Sequence, residues 1–277
     1  LLNYTDKVSF FPMDDFFSFF ALAISPEFKF TRLDTLNTIL AEKRILITNL
    51  LGFLRFLPSP IKYKESYLKI KVNTEVKIKD LVANLYKIGY KRESIVNKTG
   101  EIAVRGYIID VFPINYRNPI RIEFWGDEIE RISEFDIDSQ ISKDRLLEVE
   151  ITPTTEFIVD KEFDEEPKQR ELINYIKPSS ILDYLDECII FYDDRKSIEK
   201  SFELLTEEIT DYKNNNELSN NIKFMFDLEK SYKYEEIDFV SFDNKTNSKK
   251  SINYQSFELD NFIGGMDSIS KRLNGYI

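Results

Sequence analysis

The sequence predicts an α/β protein that carries an antiparallel module, and three observations lead there. Residues 8 to 60 alternate strand-like and helix-like runs, residues 101 to 135 switch to a period of two, and the chain beyond about residue 180 returns to strands mixed with helices. Neighbouring side chains on a strand point to opposite faces whereas helical faces repeat every 3.6 residues, so the change of period marks a change of architecture.

In the first section VSFF (8–11) before Pro12 reads as a buried strand ending in a turn. RLDTLNTIL (32–40) sets Leu33, Leu36, Ile39 and Leu40 at helical spacing, RILIT (44–48) is a second strand, and NLLGFLRF (49–56) a second helix. LPSP (57–60) halts it, and Pro58 and Pro60 mark a section boundary. The second section opens on the strand YLKIKV (67–72), with Leu68, Ile70 and Val72 on one side. IKDLVANLYKIGY (78–90) then aligns Ile78, Leu81, Val82, Leu85 and Ile88 on one helical face, with Gly89 as its C-terminal cap. Strands over 101–112, 120–125 and 128–135, the last two joined by a turn at Gly126-Asp127-Glu128, predict a meander covered on one side by that helix. TPTTEF (152–157) closes the section.

The third section begins with the charged stretch VDKEFDEEPKQRE (159–171), a solvated connection. SILDYLDECIIFYDD (180–194) follows as a helical turn and a buried strand, and KSIEKSFELLTEEITDYKN (196–214) as an amphipathic helix with Ile198, Phe202, Leu205 and Ile209 inward. After the loop KNNNELSNN, the runs KFMFDLEKSY, IDFVSFD, SFELDNF and DSISKRLNGYI alternate short strands with helical pieces.

Composition narrows the chemistry. With 49 acidic against 38 basic residues the net charge of −11 does not draw in a polyanion, so a grip on DNA would have to be local or lie elsewhere. The absence of histidine removes Ser-His and Cys-His nucleophile pairs and His-ligated zinc. The one cysteine, Cys188, precedes the apolar run Ile189-Ile190-Phe191 and reads as a small buried residue in a reducing, cytoplasmic setting. FFSFFALAI (16–24) is too short to span a bilayer and ILITNLLGFLRFL (45–57) carries Arg55, so neither is a membrane segment. Leu1 in place of Met suggests a piece of a longer chain.

No G-x-x-x-x-G-K-[ST] occurs, so these residues hold no Walker A phosphate loop; NKTG (97–100) and IGGMD (263–267) read as turns. The adjacent acids Asp14-Asp15, Asp127-Glu128 and Asp193-Asp194 read as solvated surface, and no metal or cofactor site is expected in this region. The arginines of the meander are more informative. Arg121 and Glu123 share a face while Ile120, Ile122 and Phe124 take the other, and Arg105 lies on a neighbouring strand. Gly106 beside it marks a bulge or a close approach of another backbone. The plain alternative is a polar outer face whose cross-strand Arg-Glu pair contributes about 0.2–1 kcal/mol. The functional reading is a charged sheet face that receives a partner through forked guanidinium donors.

Across these residues, G-Y (89–90), G-E-x-x-V-R-G (100–106), D-x-F-P (110–113), P-x-R-I-E (119–123), G-D-E-I-E (126–130) and F-D-x-x-S-Q (135–140) follow in order. The segment resembles the UvrB-interaction module of bacterial transcription-repair coupling factors (Mfd). Weaker similarity extends both ways, through FFPMDD and RILITNLLGFLRFLPSP before it and to NFIGGMDSISKRL after it. The resemblance implies a degenerate RecA/helicase-like α/β domain over 1–60, incomplete at its N-terminus. A UvrB-interaction, UvrA-binding α+β domain would follow over 61–157, and a further α/β subdomain over 158–277. It implies that the region binds UvrA through Arg92, Arg105, Arg121 and Glu123 and is not itself catalytic. ATP and magnesium would then belong to a C-terminal DNA-translocating motor, and RNA polymerase and double-stranded DNA would be engaged by other domains. The related repair protein UvrB is the alternative. Against it stand the short interval from Phe11 to Arg32, with no room for UvrB's tyrosine-rich hairpin, Ala103 where UvrB has arginine, and FDIDSQ.

Overall fold

The structure, a computed structural model, describes residues 5–12, 26–158, 176–219, 221–228, 234–240, 250 and 252. Expectations for FFSFFALAI, for the charged stretch 159–171 and for IGGMD, SFELDNF and DSISKRLNGYI lie outside those residues. The chain divides into compact units at Leu1–Phe239 and Val240–Ile277, and the fold described is that of the first.

β1 (Val8–Phe11) and β2 (Ile45–Thr48) pair in parallel, Val8 opposite Ile45, as a crossover through a helix requires. That helix, α1 (Pro26–Ala41), buries Leu33, Leu36 and Ile39 as their spacing predicts. The second helix is shorter than expected. α2 (Leu50–Phe53) is capped by the Asn49 side chain, which accepts from the Gly52 N–H at 2.9 Å, and it ends before Leu54. The proline-rich stop begins a helix as well: Ser59 caps and Pro60 opens α3 (Pro60–Glu65), the position where a missing N–H costs nothing. One apolar cluster gathers Phe11, Leu33, Leu36, Leu57 and Tyr63 with Ile181 and Tyr184 of the 3-10 turn Ile181–Tyr184. Residues on both sides of Pro58 and Pro60 therefore share a core.

β3 (Leu68–Lys71) pairs antiparallel with β10 (Glu148–Ile151), a strand that the sequence did not signal. α4 (Ile78–Lys87) ends at Gly89, whose φ of +96° only glycine adopts freely. The Gly89 N–H donates to the Tyr86 carbonyl at 2.9 Å and the Tyr90 N–H to that of Leu85 at 3.0 Å, the paired bonds of a Schellman cap. The main sheet has the order β4 (Lys91–Arg92), β5 (Glu101–Arg105), β6 (Ile108–Val111), β7 (Ile120–Trp125), β8 (Glu128–Phe135), β9 (Ser142–Leu146). All neighbours are antiparallel except β4 and β5. One face carries Ile102, Ile109, Ile120, Ile122 and Ile132, buried against Leu81 and Leu85 of α4. The meander and its covering helix are as expected, whereas the segment 101–112 is two strands rather than one.

β11 (Ile189–Asp193) and β12 (Glu235–Phe239) form a parallel pair, and α5 (Arg195–Asn215) turns Leu205 and Ile209 inward. β11 was expected to be buried. Of its residues only Tyr192 is, while Phe191 and Phe239 stack with centroids 5.8 Å apart and remain exposed. Cys188, at its start, is only half-buried. Among the described residues no helix is long and apolar enough to cross a membrane.

A buried ionic triad ties the sections together. Glu156, after β10, accepts from Arg32 Nε of α1 at 2.9 Å and from Arg55 Nε, beyond α2, at 2.9 Å, and all three residues are buried. Burial acts to raise the Glu156 carboxyl, but the charges of Arg55 and Arg32 and their hydrogen bonds hold it at about 2 against an ordinary 4.5. A carboxylate held lower in the folded than in the unfolded state contributes stability that is complete above its unfolded value and is lost as the pH falls through its folded one. The window here runs from 4.5 down to about 2. Glu156→Gln leaves two buried guanidiniums without their counter-charge, and urea unfolding at neutral pH is expected to show a loss of about 3–5 kcal/mol. The variant should also lose this part of the acid sensitivity; acid unfolding identical to wild type would contradict the assignment.

Candidate docking face on the meander

The face of the main sheet opposite α4 is polar, and its register sets the site. Asp110 on β6 lies between Ala103 of β5 and Arg121 of β7, and the next row runs Arg105, Ile108, Glu123, Arg131. Asp110 is 1% exposed as a side chain and receives two arginines. Arg121 grips it with both arms of its fork, Nε to Oδ1 at 2.7 Å and Nη2 to Oδ2 at 3.0 Å, and Arg105 Nη2 donates to the same Oδ2. These are charge-assisted bonds, about twice as strong as neutral ones. The Asp110 hydrogen bond is the first cause that raises the Arg121 pKa, with burial opposing it.

Arg121 is further seated by F-D-x-x-S-Q. Its guanidinium lies 4.5 Å from the centre of the buried Phe135 ring, and its Nη1 donates to the Gln140 carbonyl at 3.1 Å. Asp136 shapes the turn that presents this carbonyl: its Oδ1 accepts from the Ser139 N–H at 3.0 Å, and Gln140 N–H returns to the Asp136 carbonyl at 2.8 Å. Phe112 of D-x-F-P, Ala103, Val96 and Phe135 form a small apolar cluster on this same side. The motifs scattered along the sequence thus meet around one carboxylate.

Arg105 ends β5, and its side chain is 47% exposed against 13% for Arg121. Gly106 is neither a bulge nor a place of close approach, since a Cβ there would meet nothing within 4 Å. It is the first residue of a two-residue hairpin turn with φ +59°, the conformation that glycine supplies in a type II′ turn. Gly126-Asp127 repeats the arrangement between β7 and β8, as the sequence predicts for that turn. Tyr107, the second turn residue, is exposed, and its carbonyl accepts from the Phe124 N–H at 2.9 Å.

Glu123 shares the face with Arg121 as expected, but its cationic neighbour is Arg131, Nε to Oε1 at 3.8 Å. Arg92 stands apart from the other three. It is exposed on the edge strand β4 and registers with Ile102, a residue of the helix-covered face. Residues not singled out by the sequence complete the site: Asp110, which its D-x-F-P setting could have signalled, and Trp125. The latter continues the alternation Arg121, Glu123, Trp125 and is 77% exposed. Among the described residues no group of three or more Asp, Glu, Cys or His side chains is gathered as a metal would need. The face offers preset guanidinium forks, a carboxylate acceptor and an aromatic surface.

Asp110→Asn removes the charge on which both arginines converge and is expected to cost about 1.5–3 kcal/mol in urea unfolding, the usual range for hydrogen bonds to a charged group. Arg105→Ala, at a half-exposed position with Arg121 still holding Asp110, should cost less than about 1 kcal/mol. An equal and large loss in both variants would show that Arg105 is a structural residue.

Residues 68–157 match the UvrB interaction domain family. The chain is similar to the transcription-repair-coupling factor of Bacillus subtilis strain 168, 24% identical over 328 aligned positions that cover 98% of this chain and 28% of that protein. It is 27% identical to a Staphylococcus epidermidis coupling factor over 78% of this chain and 22% of that protein. With a Staphylococcus aureus coupling factor it shares 35% identity over 50% of the chain and 12% of that protein. The chain spans 22% of the length of the Staphylococcus epidermidis protein and 28% of that of the Bacillus subtilis protein. Residues 68–157 thus carry the match to the UvrB interaction domain family, in a chain that over most of its length is similar to transcription-repair-coupling factors.

Proposed function

We propose that this chain is the recruitment region of a transcription-repair coupling factor and binds UvrA through the polar face of the meander. Binding would bring nucleotide-excision repair to RNA polymerase stalled at DNA damage. The single observation that carries the reading is the Asp110-centred seat of Arg105 and Arg121. Two guanidiniums on one buried carboxylate leave one positive charge in excess, and Arg105 and Trp125 hold exposed surface of the kinds enriched at interface hot spots. Glu123 supplies an acceptor between them, and Arg92 is an outlying contact at the sheet edge.

In this proposal residues 1–60 and 158–277 are helicase-like and α/β framework, 61–157 is the docking domain, and the region works by binding in the cytoplasm. ATP hydrolysis with magnesium, DNA translocation and contact with polymerase and duplex DNA are assigned to other parts of the full-length protein. No residue of this chain is given a role in nucleotide chemistry, in keeping with the missing phosphate loop. The alternative, a UvrB-type subunit, has less support, since the relatives matched are named as coupling factors.

Titration of the chain with its cognate UvrA tests the proposal. Arg105→Ala and Arg121→Ala are each expected to weaken binding by about 2 kcal/mol or more, roughly thirtyfold, with the fold retained in the Arg105 variant. Wild-type affinity in a folded Arg105→Ala protein would overturn the site assignment.

A further inference from the structure

We infer that the docking face continues past the residues named so far onto β8 and β9, where Arg131 and Arg145 offer two more guanidiniums to carboxylates of the same partner protein. The inference rests on the reading of this face as a docking surface and specifies the partner's chemistry.

Register carries the placement. One row across the sheet runs Arg105, Ile108, Glu123, Arg131, and the adjacent row runs Ala103, Asp110, Arg121, Ser133, Arg145. Residues directly opposite in antiparallel strands project from the same side, so all four arginines share one face. The bulge that sets Glu130 and Arg131 together opposite Glu123 keeps Arg131 on it. Arg145 is exposed and makes no ion pair among the described residues. Arg131 lies 3.8 Å from Glu123, beyond hydrogen-bond length, and retains unused donors. Within the two rows four arginines face three carboxylates, Asp110, Glu123 and the bulged Glu130, a surplus of one positive charge on a chain whose net charge is −11. From β5 to β9 there are four interstrand steps of about 4.8 Å, so the stripe is roughly 19 Å long.

A matching partner presents a strip of Asp and Glu side chains of similar length, because planar forks pair best with carboxylates or phosphates. The observations favour carboxylates on a protein over the phosphates of a duplex. Three acids interrupt the stripe, an exposed Trp125 sits at its hairpin side, and the acidic chain repels a polyanion at long range.

The test measures association and dissociation of UvrA with the chain over a salt series, for wild type, Arg145→Glu, Arg145→Gln and Arg105→Ala. Outer charges act mainly on the encounter rate. Arg145→Glu is therefore expected to slow association about tenfold at low salt and to flatten its salt dependence, with Arg145→Gln between it and wild type. Unchanged association in both Arg145 variants, with binding still lost in Arg105→Ala, would overturn the inference and leave the docking reading in place. No binding by wild type would remove the docking reading and the inference with it. Duplex DNA bound by wild type and released by Arg145→Glu, with UvrA kinetics unaffected, would overturn it in favour of a phosphate-binding surface.

Discussion

Asp110 is a carboxylate with almost no access to water, on the polar face of the main sheet beside the small apolar cluster of Val96, Ala103, Phe112 and Phe135. An isolated buried charge of that kind would cost several kcal/mol, so the fold must deliver its counter-charges. Register delivers both: Arg121 directly opposite on β7 and Arg105 from the end of β5, across the hairpin that Gly106 allows. The same necessity works in reverse on the arginines. Free guanidiniums on long side chains lose rotamer entropy when a partner orders them, and here Asp110, Phe135 and the Gln140 carbonyl have already ordered Arg121. The interaction that satisfies the sheet is therefore also the one that orders the guanidiniums on its surface.

An acid held by two arginines occurs again at Glu156, with a different consequence. Arg32, Arg55 and Glu156 are all buried, so nothing of that triad is offered to a partner. It joins α1, the segment after α2 and the segment after β10, and removal of Glu156 strands two positive charges. At Asp110 one arginine remains half-exposed. Burial of the second arginine is what separates this structural clip from the proposed docking site built with the same groups.

The meander was legible because its period is two and one of its faces is uniformly apolar: Ile120, Ile122 and Phe124 declare the core side and leave Arg121 and Glu123 for the other. Gly89 declared the end of α4 through the one conformation that glycine favours. What sequence could not give was partnership across strands. Nothing in the local pattern says that Asp110 rather than Glu123 answers Arg121, since alternation fixes faces but not register, and the turn at Gly106-Tyr107 is concealed in a continuous β-forming run. Arg145 was hidden for the same reason, on a strand too polar to be recognised. β11 read as buried because its residues are apolar, yet among the described residues its sheet has two strands, and Phe191 and Phe239 are exposed.

The central claim is that Asp110 acts on the partner through Arg105. It is tested most directly by a double-mutant cycle in UvrA affinity, with Asp110→Asn, Arg105→Ala and the double variant titrated beside wild type. If Asp110 prepares Arg105, the two losses overlap, and Arg105→Ala costs less affinity in the Asp110→Asn background than in wild type by at least about 0.5 kcal/mol. Strict additivity of the two losses would contradict the account and reduce Asp110 to a residue that only holds the sheet together.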